Sequence, residues 1–198
     1  VGRNYVAHAA EMGNQVPSQP LLFLKPPSAL LGAGEPILLP KDVGQVDYEG
    51  EIGVRLGRRA ARVPEEKAWD YVAGLVPLND VTARELQKRD GQWARAKGFD
   101  TFCPMGDLIP IAGVDLGGLQ VVTRVNGQER QRGSMDQMVF QIPFLISYVS
   151  AIMTLEPGDV LATGTPEGVG PLAAGDMVEV ELPGLGTVMN PVVAGEES

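Results

Sequence analysis

Three acidic residues alternate with other residue types along residues 47–54, DYEGEIGV. They are Asp47, Glu49 and Glu51. Because side chains alternate between the two faces of a β-strand, a strand here would place all three carboxylates on one face. Neighbouring carboxylates would lie roughly 6–7 Å apart and repel by about 2–3 kcal/mol at an effective dielectric of about 20. A cation, a proton or water must relieve this repulsion, so the segment is a candidate metal site.

A second stretch shows that this spacing alone does not identify a metal site. Residues 178–182, VEVEL, alternate Glu179 and Glu181 with apolar residues. That pattern is typical of a half-buried strand whose acidic face is solvated. The alternation in residues 47–54 therefore has two interpretations, a metal site or a solvated strand face.

Asp80 is the next acidic candidate. It ends a predicted strand and precedes a predicted helix, in which Thr82 is a plausible N-cap. Asp at such a boundary often caps the helix itself. As a metal ligand, it would have to fold onto Glu49 and Glu51.

One histidine and one lysine are candidates for acid-base or electrostatic work. His8 and Glu11 are three residues apart in a predicted helix, so the carboxylate can orient the imidazole and the pair can activate water. The alternative is an ordinary surface contact. Lys97 has aromatic neighbours, including Trp93 and Phe99, that favour an interior position, although a solvated lysine is the commoner case.

A glycine-rich loop and the single cysteine complete the candidates. Residues 163–170, TGTPEGVG, offer Thr165 and backbone amides to an anion, but lack the lysine and the spacing of a nucleotide-binding P-loop. Cys103 is interpreted as a small buried apolar residue.

Composition excludes several classes of protein. The 198 residues carry a net charge of −9 without an extended basic cluster, so partners such as nucleic acid or an anionic membrane are not expected. One cysteine excludes an internal disulfide, and no apolar run reaches the ~18 residues of a membrane span. We expect a cytoplasmic protein with one domain over residues 1–198. With a single histidine, any metal would be held by oxygen ligands, which favours Mg²⁺, Mn²⁺ or Ca²⁺.

Many short strands and a few helices must position these groups. Scattered Gly and Pro punctuate the periodic segments, and Asn126-Gly127 predicts a two-residue hairpin turn. The predicted strands are 21–25, 36–40, 48–57, 73–80, 119–125, 128–132, 159–164, 177–182 and 186–193. The predicted helices are 4–13, 64–72, 82–91 and 142–153, the last apolar nearly all round and expected to be buried. The pattern indicates a mainly β (α+β) domain, such as a curled sheet or roll.

Several motifs occur in the order found in one known family. They include GRNYVAHAAEMG, LFLKPPSAL, DYEGEIGV, LNDVTARELQ, RAKGFDTFCPMG and LEPGDVLATGTPEGVG. By these motifs the chain resembles the fumarylacetoacetate hydrolase family over nearly its whole length. The resemblance implies a mixed β-roll decorated with a few short helices, usually a homodimer. It also implies a divalent cation, foremost Mg²⁺, held by Glu49, Glu51 and Asp80.

The same resemblance assigns the remaining candidates. It implies that Lys97 and Gln87 contact substrate oxygens, and that Thr165 helps to hold the substrate carboxylate. It places Arg3 and Lys25 in motifs near the site. The pair His8 and Glu11 belongs, by resemblance, to a mobile lid over that site.

The implied substrate is a small anionic 2-oxo acid whose enolate the cation stabilises. Because the His-Glu pair for water activation is present, we expect C–C hydrolysis of an acylpyruvate-type substrate, with His8, Glu11 and Lys97 as catalytic residues. The alternatives are isomerisation or decarboxylation of 2-hydroxymuconate-like diacids from aromatic catabolism, and decarboxylation of oxaloacetate. Outside enzymes, the alternative is a non-catalytic cation-binding β-domain.

Overall fold

The computed structural model describes residues 1–195. Residues 196–198, which the expected single domain includes, lie outside the described residues. The α-helices are α1 (Val6–Glu11), α2 (Arg84–Asp90), α3 (Ala94–Lys97) and α4 (Ile142–Ile152). Short 3-10 helices cover Pro27–Ala29, Glu65–Tyr71, Leu116–Gly118 and Met135–Gln137. In the described part of the chain, no helix has the length and apolar character needed to cross a membrane.

Short strands make up most of the remaining regular structure. The first seven are β1 (Leu30–Leu31), β2 (Ile37–Leu39), β3 (Val46–Tyr48), β4 (Gly50–Leu56), β5 (Val72–Asn79), β6 (Thr82–Ala83) and β7 (Cys103–Pro104). The others are β8 (Ile109–Pro110), β9 (Gln120–Val125), β10 (Gln128–Ser134), β11 (Val160–Ala162), β12 (Gly170–Pro171), β13 (Met177–Leu182) and β14 (Gly186–Ala194).

The strands of the described chain form sheets that mix parallel and antiparallel pairs. The largest has the order β10-β9-β13-β14-β2, and a second has the order β11-β4-β5-β8. Smaller sheets have the orders β12-β3-β6 and β1-β7. The pairs β14-β2 and β1-β7 are parallel, whereas the others are antiparallel. The expected mainly β fold with mixed sheets and a few short helices is confirmed.

The main hydrophobic core lies between the two larger sheets and α4. It includes Ile52 and Leu75 from β4 and β5, Val121 and Val180 from β9 and β13, and Leu145 from α4, all of them buried. Each such side chain contributes about 1.5–3 kcal/mol when it leaves water. This packing holds β4, which carries Glu51 and begins directly after Glu49, against β9.

Two of the predicted strand segments differ from the structure. Residues 22–25 form no strand, and Leu21 makes only an isolated bridge with Gly2. Pro20 and Pro26 bound this run, and in the described part of the chain residues 22–25 have no partner strand. The predicted strand 48–57 is broken at Glu49, where β3 ends before β4 begins.

Two of the predicted helices also differ from the structure. Residues 65–71 form a 3-10 helix instead of an α-helix. Helix α4 buries one face, but Ile152 at its end is 57% exposed in the single chain, so the expectation of burial all round is wrong. An apolar exposed face is compatible with the expected homodimer, which stays a prediction.

Two local expectations are confirmed. Asn126 and Gly127 have φ of 52° and 75°, as the tight turn between β9 and β10 requires. In β13 the apolar residues Val178, Val180 and Leu182 are buried, and Glu179 and Glu181 are half-buried and pair with Arg124 at 2.7 Å each. Arg124 therefore offsets part of the negative charge on this acidic strand face.

Gly50 marks a close approach between the two larger sheets. It begins β4, and a Cβ at this position would overlap the hydroxyl of the buried Thr123 on β9. Only a residue without a side chain therefore fits between Glu49 and Glu51.

We expect Gly50→Ala to lower the free energy of unfolding by about 1–3 kcal/mol, because the new Cβ would overlap the hydroxyl of Thr123, which is fully buried. Urea unfolding followed by circular dichroism measures the change. Gly32→Ala is the matched control, because Gly32 is exposed and its nearest neighbour would lie 3.8 Å from a new Cβ. Equal stability of the two variants would contradict the close approach.

Candidate functional site

Glu49, Glu51 and Asp80 form a compact buried cluster. One carboxylate oxygen from each lies within 4.8 Å of the others. The antiparallel pairing of β4 with β5 creates the cluster, because Gly50 lies opposite Asn79 at the ends of the two strands. Asp80 then follows β5 directly, and its amide donates to the carbonyl of Glu49 at 2.8 Å. The structure thus brings together the three predicted metal ligands.

Two lysines neutralise part of this negative charge. The Lys97 ammonium, 1% exposed, lies 2.8 Å from Glu49 Oε2 and 2.6 Å from Asp80 Oδ2. Lys25 lies 2.6 Å from the other oxygen of Asp80. Burial alone would lower the pKa of Lys97, but the carboxylates of Asp80 and Glu49 raise it above its usual value. Lys97 is therefore a permanent positive charge inside the site.

Asp47 does not join the metal cluster. Its carboxylate accepts hydrogen bonds from Arg84 Nε and Gln45 Nε2, each at 2.7 Å. The same guanidinium pairs with Glu49 Oε1 at 2.5 Å and donates to Gln87 Oε1 at 3.0 Å. Asp47 thus holds Arg84 against the site.

Arg84 is the site residue that the sequence interpretation missed. It lies four residues after Asp80 and three before Gln87, so it shares a face of α2 with that expected substrate-binding residue. This spacing was the available signal. Although burial opposes its charge, the carboxylates of Glu49 and Asp47 raise the pKa of Arg84.

Glu51 is the carboxylate with the least compensation. Its Oε2 accepts a hydrogen bond from the Gly164 amide at 2.7 Å, and within residues 1–195 it has no ion pair with a basic side chain. Burial, together with the carboxylates of Asp80 and Glu49, raises the pKa of Glu51 to about 8. By contrast, although burial opposes ionisation, Lys97 and Arg84 lower the pKa of Glu49.

The cluster of Glu49, Glu51 and Asp80 has the donor atoms that a divalent cation requires. The donors are carboxylate oxygens, which Mg²⁺, Mn²⁺ and Ca²⁺ prefer, and one oxygen of each of the three groups lies within 4.8 Å of the others. The raised pKa of Glu51 indicates that the cluster lacks positive charge. The residues therefore fit a divalent cation.

Helix α1 carries His8 and Glu11, and it places His8 near Glu49 of the acidic cluster. The distance from His8 Nδ1 to Glu11 Oε2 is 3.6 Å, too long for a hydrogen bond, and within the described residues Nδ1 is buried without a partner. Glu11 instead accepts from the Gly168 amide at 3.1 Å and so fastens α1 to loop 163–170. Burial lowers the pKa of His8, so its imidazole is neutral at neutral pH.

A cavity of about 800 Å³ connects these groups. Glu49 and Glu51 line this cavity, whereas Asp80, Lys25 and Glu11 do not. The predicted and newly found site residues that line it are Arg3, His8, Glu49, Glu51, Arg84, Gln87, Lys97 and Thr165. One cavity thus presents a neutral base, two acids and several cationic or amide groups.

Three of the predicted substrate-binding residues already contact other groups of the protein. Arg3 lies over the ring of Trp93 at 5.8 Å, beside the cavity. Lys25 is engaged with Asp80 and the carbonyl of Val81. The hydroxyl of Thr165 donates to the carbonyl of Gly50 at 2.9 Å, so it is already committed within the protein.

Three alternative interpretations of the sequence are resolved by these contacts. The carboxylate of Asp80 binds two lysines and caps no helix, and helix α2 has no side-chain cap from Thr82, whose hydroxyl donates to the Asp80 carbonyl. Lys97 is buried and not solvated. Burial raises the pKa of Cys103 to about 12, so this residue is a buried thiol, as expected.

We expect cation binding at this site to release a proton below pH 8. Because the Glu51 pKa of about 8 keeps the carboxyl protonated at lower pH, a cation must displace that proton. Mg²⁺ affinity should then rise about tenfold for each pH unit up to pH 8 and level off above it. Calorimetric titrations at several pH values measure the slope.

Glu51→Gln is the control for this titration, since it should bind Mg²⁺ weakly and without the pH dependence. If the Mg²⁺ affinity of the parent protein is constant between pH 6 and 8, this contradicts the assignment of Glu51 as the ligand that loses a proton.

Comparison with known proteins agrees with this geometry. The family model described as fumarylacetoacetate (FAA) hydrolase C-terminal matches residues 1–193. A mitochondrial oxaloacetate tautomerase from Arabidopsis thaliana is 46% identical over 193 residues, which cover 95% of this chain and 86% of the plant protein. The structure of 5-carboxymethyl-2-hydroxymuconate delta-isomerase from Mycobacterium smegmatis has a TM-score of 0.91 at 47% identity, covering 100% of this chain and 78% of that chain.

A third relative was solved with ligands. The structure of fumarylpyruvate hydrolase from Pseudomonas aeruginosa in complex with Mn²⁺ and pyruvate has a TM-score of 0.91 at 34% identity, covering 98% of this chain and 87% of that chain. The resemblance seen in the motifs is thereby confirmed. This chain belongs to the fumarylacetoacetate hydrolase family of enzymes.

Proposed function

We propose that this chain is a divalent-cation-dependent enzyme that interconverts the keto and enol forms of a small 2-oxo acid of the oxaloacetate type. One observation carries the proposal. His8, a buried neutral imidazole, lines the same cavity as two of the three clustered carboxylates and the buried ammonium of Lys97. A neutral base next to a lysine ammonium and a set of carboxylates that could hold a divalent cation is the arrangement that proton transfer at the carbon beside a 2-oxo group requires.

The relatives support the same chemistry. The names of the Arabidopsis tautomerase and the Mycobacterium isomerase both describe proton transfers between carbon positions or between carbon and oxygen. The Pseudomonas hydrolase was solved with pyruvate, which is itself a 2-oxo acid, and with Mn²⁺. An enol or enolate of a 2-oxo acid is common to these reactions.

Glu49, Glu51 and Asp80 would hold the cation, by preference Mg²⁺, with Mn²⁺ or Ca²⁺ suited to the same donors. When bound there, the cation supplies positive charge to the oxygens of a 2-oxo carboxylate. Lys97 would donate a hydrogen bond to a substrate oxygen from within the cavity, where little water weakens its charge.

His8 would move the proton. Its neutral imidazole takes a proton from C3 of the keto acid, leaving the electron pair on the enolate, and returns the proton to oxygen or carbon. Glu11 keeps α1 in place through its bonds to Gly168. Gln87 and Arg3 would contact the rest of the substrate from the cavity wall, and Thr165 contributes mainly by its position in the loop.

C–C hydrolysis of an acylpyruvate, expected from the sequence, is the second candidate. It is favoured by Glu11, whose carboxylate lies 3.6 Å from His8 Nδ1 and could stabilise an imidazolium formed when His8 takes a proton from water. The cavity of about 800 Å³ also has room for an acyl group beyond pyruvate. Hydrolysis would add water across the C–C bond and give pyruvate and a carboxylic acid.

A panel of substrates tests the two candidates. We expect the protein with Mg²⁺ to accelerate the keto-enol change of oxaloacetate, followed by ultraviolet absorbance of the enol, and EDTA to abolish the acceleration. Acylpyruvates and a 2-hydroxymuconate-type diacid are assayed in parallel, with pyruvate release detecting hydrolysis or decarboxylation. Turnover of acylpyruvate alone would replace the first candidate with the second, and no Mg²⁺-dependent turnover of any substrate would contradict both.

We expect His8→Ala to slow tautomerisation and hydrolysis by about 10²- to 10⁴-fold, because both need a base. Decarboxylation of oxaloacetate loses CO₂ instead of a proton and should change much less. Val6→Ala is the matched control on the same helix, since Val6 is 60% exposed and does not line the cavity. Equal loss of all three activities in His8→Ala would show that His8 serves the structure of α1 instead.

A further inference from the structure

Gln131 is a buried glutamine outside every motif discussed above. It lies on β10, is 2% exposed, and reaches across to the start of β4. Its Oε1 accepts from the Gly50 amide at 3.0 Å, and its Nε2 donates to Thr165 Oγ1 at 2.7 Å and to the Pro166 carbonyl at 2.9 Å. A glutamine in this position connects β4 to loop 163–170.

The contacts close into a ring of three hydrogen bonds. The Gly50 amide donates to Gln131, Gln131 donates to Thr165, and the Thr165 hydroxyl donates to the Gly50 carbonyl at 2.9 Å. Rotating the carboxamide by 180° would oppose two donors at Gly50, so only one orientation of Gln131 satisfies the ring. Both polar groups of the Gly50 backbone are thereby held by side chains.

A β-bulge turns Gln131 toward the interior. The pairing of β10 with β9 is irregular between Glu129 and Gln131, which leaves Arg130 as the extra residue. The Arg130 carbonyl packs so closely on Gly168 that a Cβ there would overlap it. The bulge therefore supports loop 163–170 at the same point where the Gln131 side chain holds it.

The ring holds the backbone between two of the proposed cation ligands. Gly50 is the residue between Glu49 and Glu51, and loop 163–170 also supplies the Gly164 amide that binds the Glu51 carboxylate at 2.7 Å. A shift of Gly50 would move the two carboxylates relative to each other. Hydrogen bonds behind metal ligands commonly change affinity by about 10- to 100-fold.

We propose that Gln131 is a positioning residue for the divalent cation. Through the ring with Gly50 and Thr165, it fixes the separation of the Glu49 and Glu51 carboxylates. This inference rests on the cation site of the proposed function. It adds a residue that touches neither the cation nor the substrate.

The test measures Mn²⁺ binding without substrate, by the electron paramagnetic resonance signal of free Mn²⁺. We expect Gln131→Met to weaken Mn²⁺ binding by about 10- to 100-fold, since Met cannot make the ring. Gln128→Met is the control on the same strand, because Gln128 is exposed and pairs with Val125 at the hairpin end of the ladder. Activity at saturating Mn²⁺ should return towards the parent value, which a purely structural defect would not allow.

Thr165→Val breaks the same ring with a side chain of equal shape. It provides the test of the inference if Gln131→Met does not fold. We expect the same weakening of Mn²⁺ binding, and the double variant should lose little more than either single one, because one broken bond already opens the ring. Parent affinity in a folded Gln131→Met, or in Thr165→Val, would overturn this inference alone. Failure of the parent protein to bind Mn²⁺ would overturn both it and the proposed function.

Discussion

Buried negative charge is the constraint on which the rest of this site depends. Four buried carboxylates, from Asp47, Glu49, Glu51 and Asp80, lie with three cationic side chains, the buried Lys97 and Arg84 and the partly buried Lys25. Four negative charges against three positive ones leave an excess of one, and Glu51 carries it, because the other three carboxylates have basic partners. Leaving a buried charge unpaired typically costs about 3–5 kcal/mol. Protonation of Glu51 or a divalent cation can remove that cost.

The same count shows how an acidic protein could receive the anionic substrate proposed for it. The chain has a net charge of −9, yet with Glu51 ionised a divalent cation would change the charge of the site from −1 to +1. Arg3 and Lys88 also line the cavity, and add positive charge at its walls. Local charge inside a cleft, and not the net charge, determines which small ion is attracted.

Strand pairing and one loop hold the clustered carboxylates in place. Pairing of β4 with β5 brings Asp80 to Glu49, and loop 163–170 contacts Glu51, Gly50 and α1. Each element that carries a site residue is therefore held by another that carries one. The loop is the shared support, since it binds both Glu51 of the acidic cluster and the helix with His8.

Local patterns predicted much of the fold. Most strands and the turn at Asn126-Gly127 follow from periodicity and backbone preference, which act over a few residues. Residues 21–25 failed because an apolar run becomes a strand only where a partner strand is available. Helix α4 is apolar beyond the face that the chain itself buries, so its pattern alone overstated its burial.

The sequence by itself determined the family, the residue types of the site and the spacing of two that separates Glu49 from Glu51. It did not separate residues 47–51 from residues 178–182, because both alternate acids with a period of two. Only the tertiary structure decided that Glu179 and Glu181 face Arg124, that Asp47 binds Arg84, and that Asp80 completes the cluster. Spacing along a chain fixes which face a side chain occupies, whereas the partner across that face comes from a distant segment, and that partner decides the charge balance.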